Sequence, residues 1–190
     1  IYIHSQLDII PTAILLYGIY LLILNKYNFS SLVFGLALAT KIHIIIALPL
    51  MFFYLYKIKN IKVALKYVAV SLTILLLFDL PFLYSDGFIQ MVLLNPKQSL
   101  LFDSFYNIGS VNILLPILAI SAIYLHFFNQ KKVNDDLLDF YFGILFIATI
   151  FFVYSGPAWY VWMVPFVSVY FIKNNNKKSR LLYIGFSVVY

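Results

Sequence analysis

Long apolar runs separated by short polar segments dominate this chain. A helix needs about 20 mainly apolar residues to cross the hydrocarbon core of a bilayer. The runs therefore predict membrane-spanning helices at residues 7–24, 67–84, 111–128, 137–154 and 160–172. A further apolar run, 181–190, is cut by the end of the chain and the first residue is not Met, so we expect a piece of a longer protein.

The apolar run 31–56 differs from the others because Lys41, His43 and Pro49 interrupt it. Cytoplasmic loops of membrane proteins carry most of the Lys and Arg. Most basic residues can share the cytoplasmic face only if run 31–56 enters the membrane and returns, as short helices 31–39 and 44–56 that meet at 41–43. The alternative is one tilted helix that contains Lys41 and places 57–66 outside. Eleven of the thirteen basic residues can lie on the cytoplasmic face in the hairpin arrangement: Lys26, Lys57, Lys59, Lys62, Lys66, Lys131, Lys132, Lys173, Lys177, Lys178 and Arg180.

Composition sets the class of protein. The chain is 64% hydrophobic and 11% charged, whereas soluble domains are roughly 45–50% apolar and about 25% charged. We therefore expect an all-α, multi-pass transmembrane bundle that forms a single domain over 1–190, with 85–109 as an extracytoplasmic interfacial loop. The net charge of +6 then reflects membrane topology and predicts no nucleic-acid partner.

The supply of cysteine and histidine limits the possible chemistry. The chain has no cysteine, which excludes disulfides and thiol catalysis. Its three histidines lack the close spacing of imidazole metal sites. We expect no metal and no cofactor.

The strongest candidate site is the polar cluster before the first apolar run. His4, Ser5, Gln6 and Asp8 lie next to residues 7–24, on the face predicted to be extracytoplasmic. Carboxylate and amide oxygens accept hydrogen bonds from sugar hydroxyls, and amide and imidazole N–H groups donate them. The alternative is a helix N-cap at Asp8 with Pro11 in the first turn, which leaves His4 and Gln6 unexplained.

Two further segments carry candidate residues. Lys41 and His43 lie at membrane depth, where ionisable residues are costly and generally functional. Lys41 is expected to contact a lipid phosphate or to pair with Asp79, unless it snorkels to an interface. The aromatic turn that contains Trp159 and Tyr160 is either the wall of a site or part of an interfacial aromatic belt.

Three motifs together resemble polyprenyl-phosphate-sugar-dependent glycosyltransferases of the GT-C superfamily. The first is His4-Ser-Gln-Leu-Asp-Ile-Ile-Pro11, similar to an "H/G-x-Q-x-D/N" helix start. The second comprises Gly35-Leu-Ala-Leu-Ala-Thr-Lys41, Leu48-Pro49 and Tyr54-Leu-Tyr-Lys57, similar to "G-L-A-x-x-x-K … P … Y-L". The third is Pro157-Ala-Trp-Tyr-Val-Trp-Met-Val-Pro165, similar to "P-x-W/Y-Y-x-W-x-x-P". Their order and approximate spacing agree with the family.

The resemblance implies an extracytoplasmic site that transfers a sugar, with inversion, from a polyprenyl-phosphate donor to a glycan, lipid or protein acceptor in cell-envelope assembly. It implies substrate-side roles for Gln6 and Asp8, a donor-phosphate contact for Lys41, and a sugar-site wall at Trp159 and Tyr160. The general base is expected upstream of Ile1. The competing hypotheses are a transporter or flippase that uses a Lys41–Asp79 pair, and a polysaccharide polymerase.

Overall fold

The predicted all-α class is confirmed. The computed structural model describes residues 7–95, 100–152 and 157–174, together with Leu181 and Ile184. The α-helices in these ranges are α1 Ile9–Ile23, α2 Tyr27–Thr40, α3 Leu48–Ile58, α4 Ile61–Asp79, α5 Asp86–Phe88, α6 Leu100–Asp103, α7 Leu115–Asn129, α8 Asp135–Phe152 and α9 Val164–Lys173. Shorter turns are the 3-10 helices Ile42–Ala47, Leu80–Phe82 and Pro157–Trp162 and the π-helix Ile89–Leu93.

One helix in the described ranges is long and apolar enough to cross a membrane. It is Ile61–Phe82, which combines α4 with its 3-10 extension over 22 residues. Helices α1, α7 and α9 have 15, 15 and 10 residues, so they are shorter than the spans predicted from hydropathy. The multi-pass arrangement therefore stays a prediction. The truncated last run lies almost wholly outside the described residues.

The break predicted at Lys41 is present. Helix α2 ends at Thr40, Lys41 has extended backbone angles of φ −155° and ψ 108°, and a 3-10 helix leads into α3. The arms are longer than predicted, however. The first arm begins at Tyr27 and the second runs continuously over Ile42–Ile58, so neither arm is the 9–13-residue half-helix expected from the sequence.

Contacts between α2 and α4 show that the chain reverses at Lys41. Ser30 Oγ lies 3.0 Å from Tyr67 Oη, and Ser71 Oγ donates to Ser31 O at 3.1 Å. Residue numbers therefore rise together along the two helices, which makes them parallel. Because only residues 59 and 60 separate α3 from α4, α3 has to run in the opposite direction. The reversal of the chain at Lys41 is confirmed and the single continuous helix is wrong, whereas re-entry into a membrane stays a prediction.

The close approach of α2 and α4 depends on Gly35. A Cβ added at Gly35 would lie 2.6 Å from Ile74 Cβ and 2.7 Å from Ser71 O. These distances are far below van der Waals contact, and both neighbours belong to the rigid body of α4. Small residues let helix backbones approach in this way. Gly35 thus sets the spacing at the centre of the bundle.

Buried hydroxyl groups link three helices beside this contact. Ser30 Oγ donates to Gly18 O at 2.7 Å and is also bonded to Tyr67 Oη. Tyr67 is 2% exposed, so its hydroxyl depends on this partner. The serine connects α1, α2 and α4 through one side chain.

We expect Ser30→Ala to lower the free energy of unfolding by about 1–2 kcal/mol, because it leaves the buried Tyr67 hydroxyl without its partner. Tyr67→Phe is the matched control, since Ser30 keeps its bond to Gly18 O and the loss should be smaller. Thermal unfolding of the detergent-solubilised protein measures both. An equal or larger loss for Tyr67→Phe would contradict this interpretation.

The boundaries of three predicted spans are corrected. Helix α4 begins six residues before the predicted 67, because the Asn60 side chain accepts from Val63 N and caps the start. The predicted span 111–128 opens as a strand, and the predicted span 160–172 is divided between the 3-10 helix Pro157–Trp162 and α9. Helix α8, by contrast, starts and ends within two residues of the predicted 137–154.

The strand before α7 belongs to a two-stranded antiparallel hairpin. Strand β1, Phe105–Ile108, pairs with β2, Val111–Leu114, across a two-residue turn. Gly109 has φ +61°, the left-handed conformation that such a turn needs at its first central position. The predicted interfacial loop 85–109 therefore ends in regular structure, and residues 96–99 of it lie outside the described ranges.

Charged and polar contacts collect at one end of the bundle. Tyr54 Oη donates to Asp135 Oδ1, and Lys57 Nζ donates to Gln130 O at 2.7 Å. The Lys59 amino group lies 5.4 Å from the Tyr27 ring centroid, which places the start of α2 at the same end. Since α1 and α2 are joined there by residues 24–26, Asp8 and Lys41 lie at the opposite end.

Candidate functional site

Asp8 is positioned by the start of α1 and pairs with Lys41. It occupies the N-cap position, yet its side chain makes no capping hydrogen bond. Its carboxylate instead accepts from Lys41 Nζ, and the residue as a whole is 7% exposed. Thr12 Oγ1 donates to the Asp8 carbonyl at 2.7 Å and stabilises this first turn. The alternative of a side-chain N-cap is therefore wrong.

Lys41 reaches Asp8 because the helix stops at this position. Its extended backbone points the chain away from the axis of α2, while its carbonyl accepts from Ile44 N at 3.1 Å to start the 3-10 helix. The side chain is 27% exposed. The predicted pairing of Lys41 with Asp79 is wrong, since the carboxylate partner in the structure is Asp8.

Two tryptophans enclose the Lys41 amino group. Lys41 Nζ lies 5.8 Å from the Trp159 ring centroid and 5.7 Å from the Trp162 ring centroid. Both distances are within the range of cation–π attraction. A 3-10 helix has three residues per turn, so Trp159 and Trp162 lie on the same face of Pro157–Trp162. The half-buried Tyr160 occupies a different face of that helix.

Trp162 is the residue that sequence reasoning missed. It is 5% exposed and packs against Phe146, with 5.6 Å between the ring centroids. The signal in the sequence was the spacing of three residues between the two tryptophans. That spacing places both tryptophans on one face only if the segment is a 3-10 helix. The sequence alone did not show this, and an interfacial aromatic belt has the same composition.

His43 lies behind the tryptophans in a small apolar cavity. Its ring meets the edge of Trp159 at 5.2 Å between centroids. His43 Nε2 and Trp162 Nε1 are both buried without a hydrogen-bond partner among the described residues. The cavity that both side chains line has a volume of about 20 Å³, which is room for about one water molecule. A ligand larger than a water molecule does not fit in this cavity.

Two of the predicted site residues cannot be compared with the structure. His4 and Gln6 lie outside the described residues. Within the part of the chain that is described, no three His, Asp or Glu side chains come together as a group able to hold a metal ion.

The ion pair with Asp8 uses only part of the hydrogen-bonding capacity of the Lys41 amino group. An ammonium group has three N–H donors, and the described contacts of Lys41 Nζ use one of them for Asp8. About a quarter of the Lys41 side chain is exposed, and both tryptophan rings lie within cation–π distance of its amino group. The arrangement offers a fixed cation beside an aromatic wall, a combination that suits an anionic group attached to a sugar.

No family model matches this chain, and comparison with curated proteins and with solved structures gives no match. The resemblance to GT-C glycosyltransferases therefore rests on the three motifs alone.

Proposed function

We propose that this chain is part of a multi-pass membrane glycosyltransferase that transfers a sugar from a polyprenyl-phosphate donor to an extracytoplasmic acceptor. One observation carries the proposal. Asp8, Lys41 and Trp159 come from three different motifs, and they meet at one end of the bundle. The first two are 33 residues apart, and the third follows only after α8.

The surface of α4 supports a membrane location. Leu65, Leu76, Leu77 and Phe78 are each more than half exposed. Contiguous apolar surface of this kind is rare on soluble monomers and generally marks contact with a partner or with lipid. The end of the bundle that carries Lys26, Lys57 and Lys59 is called the lysine-rich end. It then faces the cytoplasm by the positive-inside rule, and the Asp8–Lys41 pair faces the other side.

Lys41 is assigned to the donor phosphate. In the proposed reaction, the acceptor hydroxyl oxygen bonds to the anomeric carbon while the bond from that carbon to the phosphate oxygen breaks. A general base, expected upstream of Ile1, takes the hydroxyl proton, and polyprenyl phosphate leaves with one more negative charge. A fixed ammonium beside that oxygen stabilises the developing charge. Asp8 holds the ammonium in place and neutralises it while no donor is bound.

The rival transport hypothesis lacks its main structural support. It requires Lys41 and Asp79 to pair on a substrate pathway, whereas Lys41 pairs with Asp8.

The decisive test supplies membranes containing the full-length protein with a polyprenyl-phosphate donor that carries a labelled sugar. We expect label to appear in a new glycosidic product and polyprenyl phosphate to be released in equal amount. Movement of the intact donor across the membrane without cleavage would overturn the proposal in favour of transport. A protein-free vesicle sample corrects for spontaneous hydrolysis.

Trp159→Ala is expected to reduce transfer about tenfold, because it removes one aromatic wall of the sugar site and its contact with the lysine. Phe151→Ala is the matched control: Phe151 is 78% exposed and has no role in the site. Initial rates at matched protein levels measure both. Equal rates for the two variants would contradict the assignment of Trp159.

A further inference from the structure

A second pocket lies at the lysine-rich end of the bundle, away from the proposed sugar site. Its volume is about 330 Å³, within the range of about 300–1,000 Å³ that ligand pockets occupy. The turn between α1 and α2 forms one wall, and the start of α4 forms the other. The lining residues are Asn25, Lys26, Tyr27, Asn28, Phe29, Ser31, Val63, Lys66 and Tyr67.

The pocket is positively charged and has no acidic lining. Lys26 and Lys66 line it from opposite walls, and the ion pairs of the described residues do not include either of them. The Lys59 amino group lies against the ring of Tyr27, another lining residue. Cations brought together in this way repel one another unless an anion joins them.

The start of α2 adds to this positive charge. Lys26 occupies its N-cap position, no side chain caps it, and its first turn contains no acidic residue. Helix starts generally favour Ser, Thr, Asp or Asn at that position, and the helix dipole makes a lysine there unfavourable. The local sequence is thus poorly matched to an empty pocket and well matched to one that holds an anion.

Exposed apolar side chains of α2 lie in the lining of the pocket and next to it. Phe29 lines the pocket and is 64% exposed. Leu32 follows three residues later on α2, nearly one helical turn away, and is 39% exposed. Their position next to the charged groups suits a ligand with an anionic head and apolar chains. A free phosphate ion would make no use of them.

We propose that this pocket binds the phosphate headgroup of an anionic phospholipid from the leaflet at the lysine-rich end. Lys26 and Lys66 contact the phosphate, the amide of Asn28 bonds to headgroup hydroxyls, and the acyl chains follow the apolar surface of α2. Basic pockets between membrane helices bind anionic headgroups in this manner. The inference rests on the membrane placement proposed above and is independent of sugar transfer.

The test reconstitutes the full-length protein in bilayers of equal phosphatidylglycerol and phosphatidylcholine. After mild extraction, native mass spectrometry measures which lipids remain bound. We expect the wild-type protein to retain phosphatidylglycerol preferentially and the variant Lys26→Gln/Lys66→Gln to lose that preference by at least about tenfold. The matched control is Lys131→Gln/Lys132→Gln, which removes the same charge outside the pocket and should behave like wild type.

Two results would overturn the inference while leaving the membrane placement intact: an unchanged lipid preference in the pocket variant, or an equal loss in the control, which would indicate general surface charge. Release of the wild-type protein from the bilayer by alkaline carbonate would overturn both the placement and the inference.

Discussion

Lys41→Ala is expected to lower the rate of sugar transfer about a hundredfold. One preorganised group that stabilises charge in the transition state is typically worth about 10²–10³ in rate, and Lys41 is the cation enclosed by Trp159 and Trp162. The measurement is the initial rate with a saturating polyprenyl-phosphate donor. Lys173→Ala is the matched control, because it removes an exposed ion pair to Asp136 at the opposite end of the bundle.

A double variant separates the chemical role of Lys41 from a structural one. Lys41→Ala alone leaves the Asp8 carboxylate buried without its partner, which destabilises the fold as well. Asp8→Asn/Lys41→Ala removes both charges, so we expect thermal stability to recover towards that of the wild type while transfer stays low. Recovery of transfer together with stability would show that Lys41 only supports the structure. Asp8→Asn alone should reduce transfer by a smaller factor, because Lys41 remains but is no longer held in place.

Gly35→Ala is expected to destabilise the bundle by about 3 kcal/mol, at the upper end of what overpacking usually costs. The added Cβ would lie 2.6–2.7 Å from atoms of Ile74 and Ser71, and α4 cannot move aside without separating from α2 along its length. For a protein of this size, that loss corresponds to a fall in Tm of about 6–12 °C. Thermal unfolding of the solubilised protein measures it.

Gly18→Ala provides the comparison within the same bundle. An added Cβ there would meet Phe34 N, Val33 Cγ1 and Ser30 O at 3.6–3.7 Å, which is ordinary contact. Since Ala is favoured over Gly in helices by about 1 kcal/mol, we expect the Tm to stay level or rise. Similar effects at the two glycines would show that the packing of α2 against α4 is looser than the structure indicates.

The helix break at Lys41 could be predicted because charge and hydropathy agree on it. A lysine in the middle of an apolar run, with basic residues on both flanks, requires the chain to return, and the reversal is present. The partner of Lys41 could not be predicted in the same way. Asp8 and Asp79 are equally plausible from sequence position, and the choice depends on which helix end packs beside α2.

The strand at 111–114 and the start of α4 depend on single local contacts, which an average of hydropathy over many residues does not detect. Residues 111–114 are as apolar as the helix that follows them, yet Gly109 and the pairing with β1 make them a strand. The basic stretch 57–66 is predicted to lie outside the span that follows it, but the cap at Asn60 begins α4 at Ile61, within that stretch. In both places one local contact decides what a hydropathy average leaves open.

The reversal at Lys41 also has a consequence for the biogenesis of the protein. Asp8 and α1 are synthesised before Lys41, so the carboxylate partner is already present when the lysine emerges. Under the membrane placement proposed above, the lysine then enters the bilayer as one half of a neutral pair rather than as an isolated charge. Under the same proposal, an orientation of α1 that puts Asp8 on the other face would remove that partner, and we expect the segment around Lys41 to insert less efficiently.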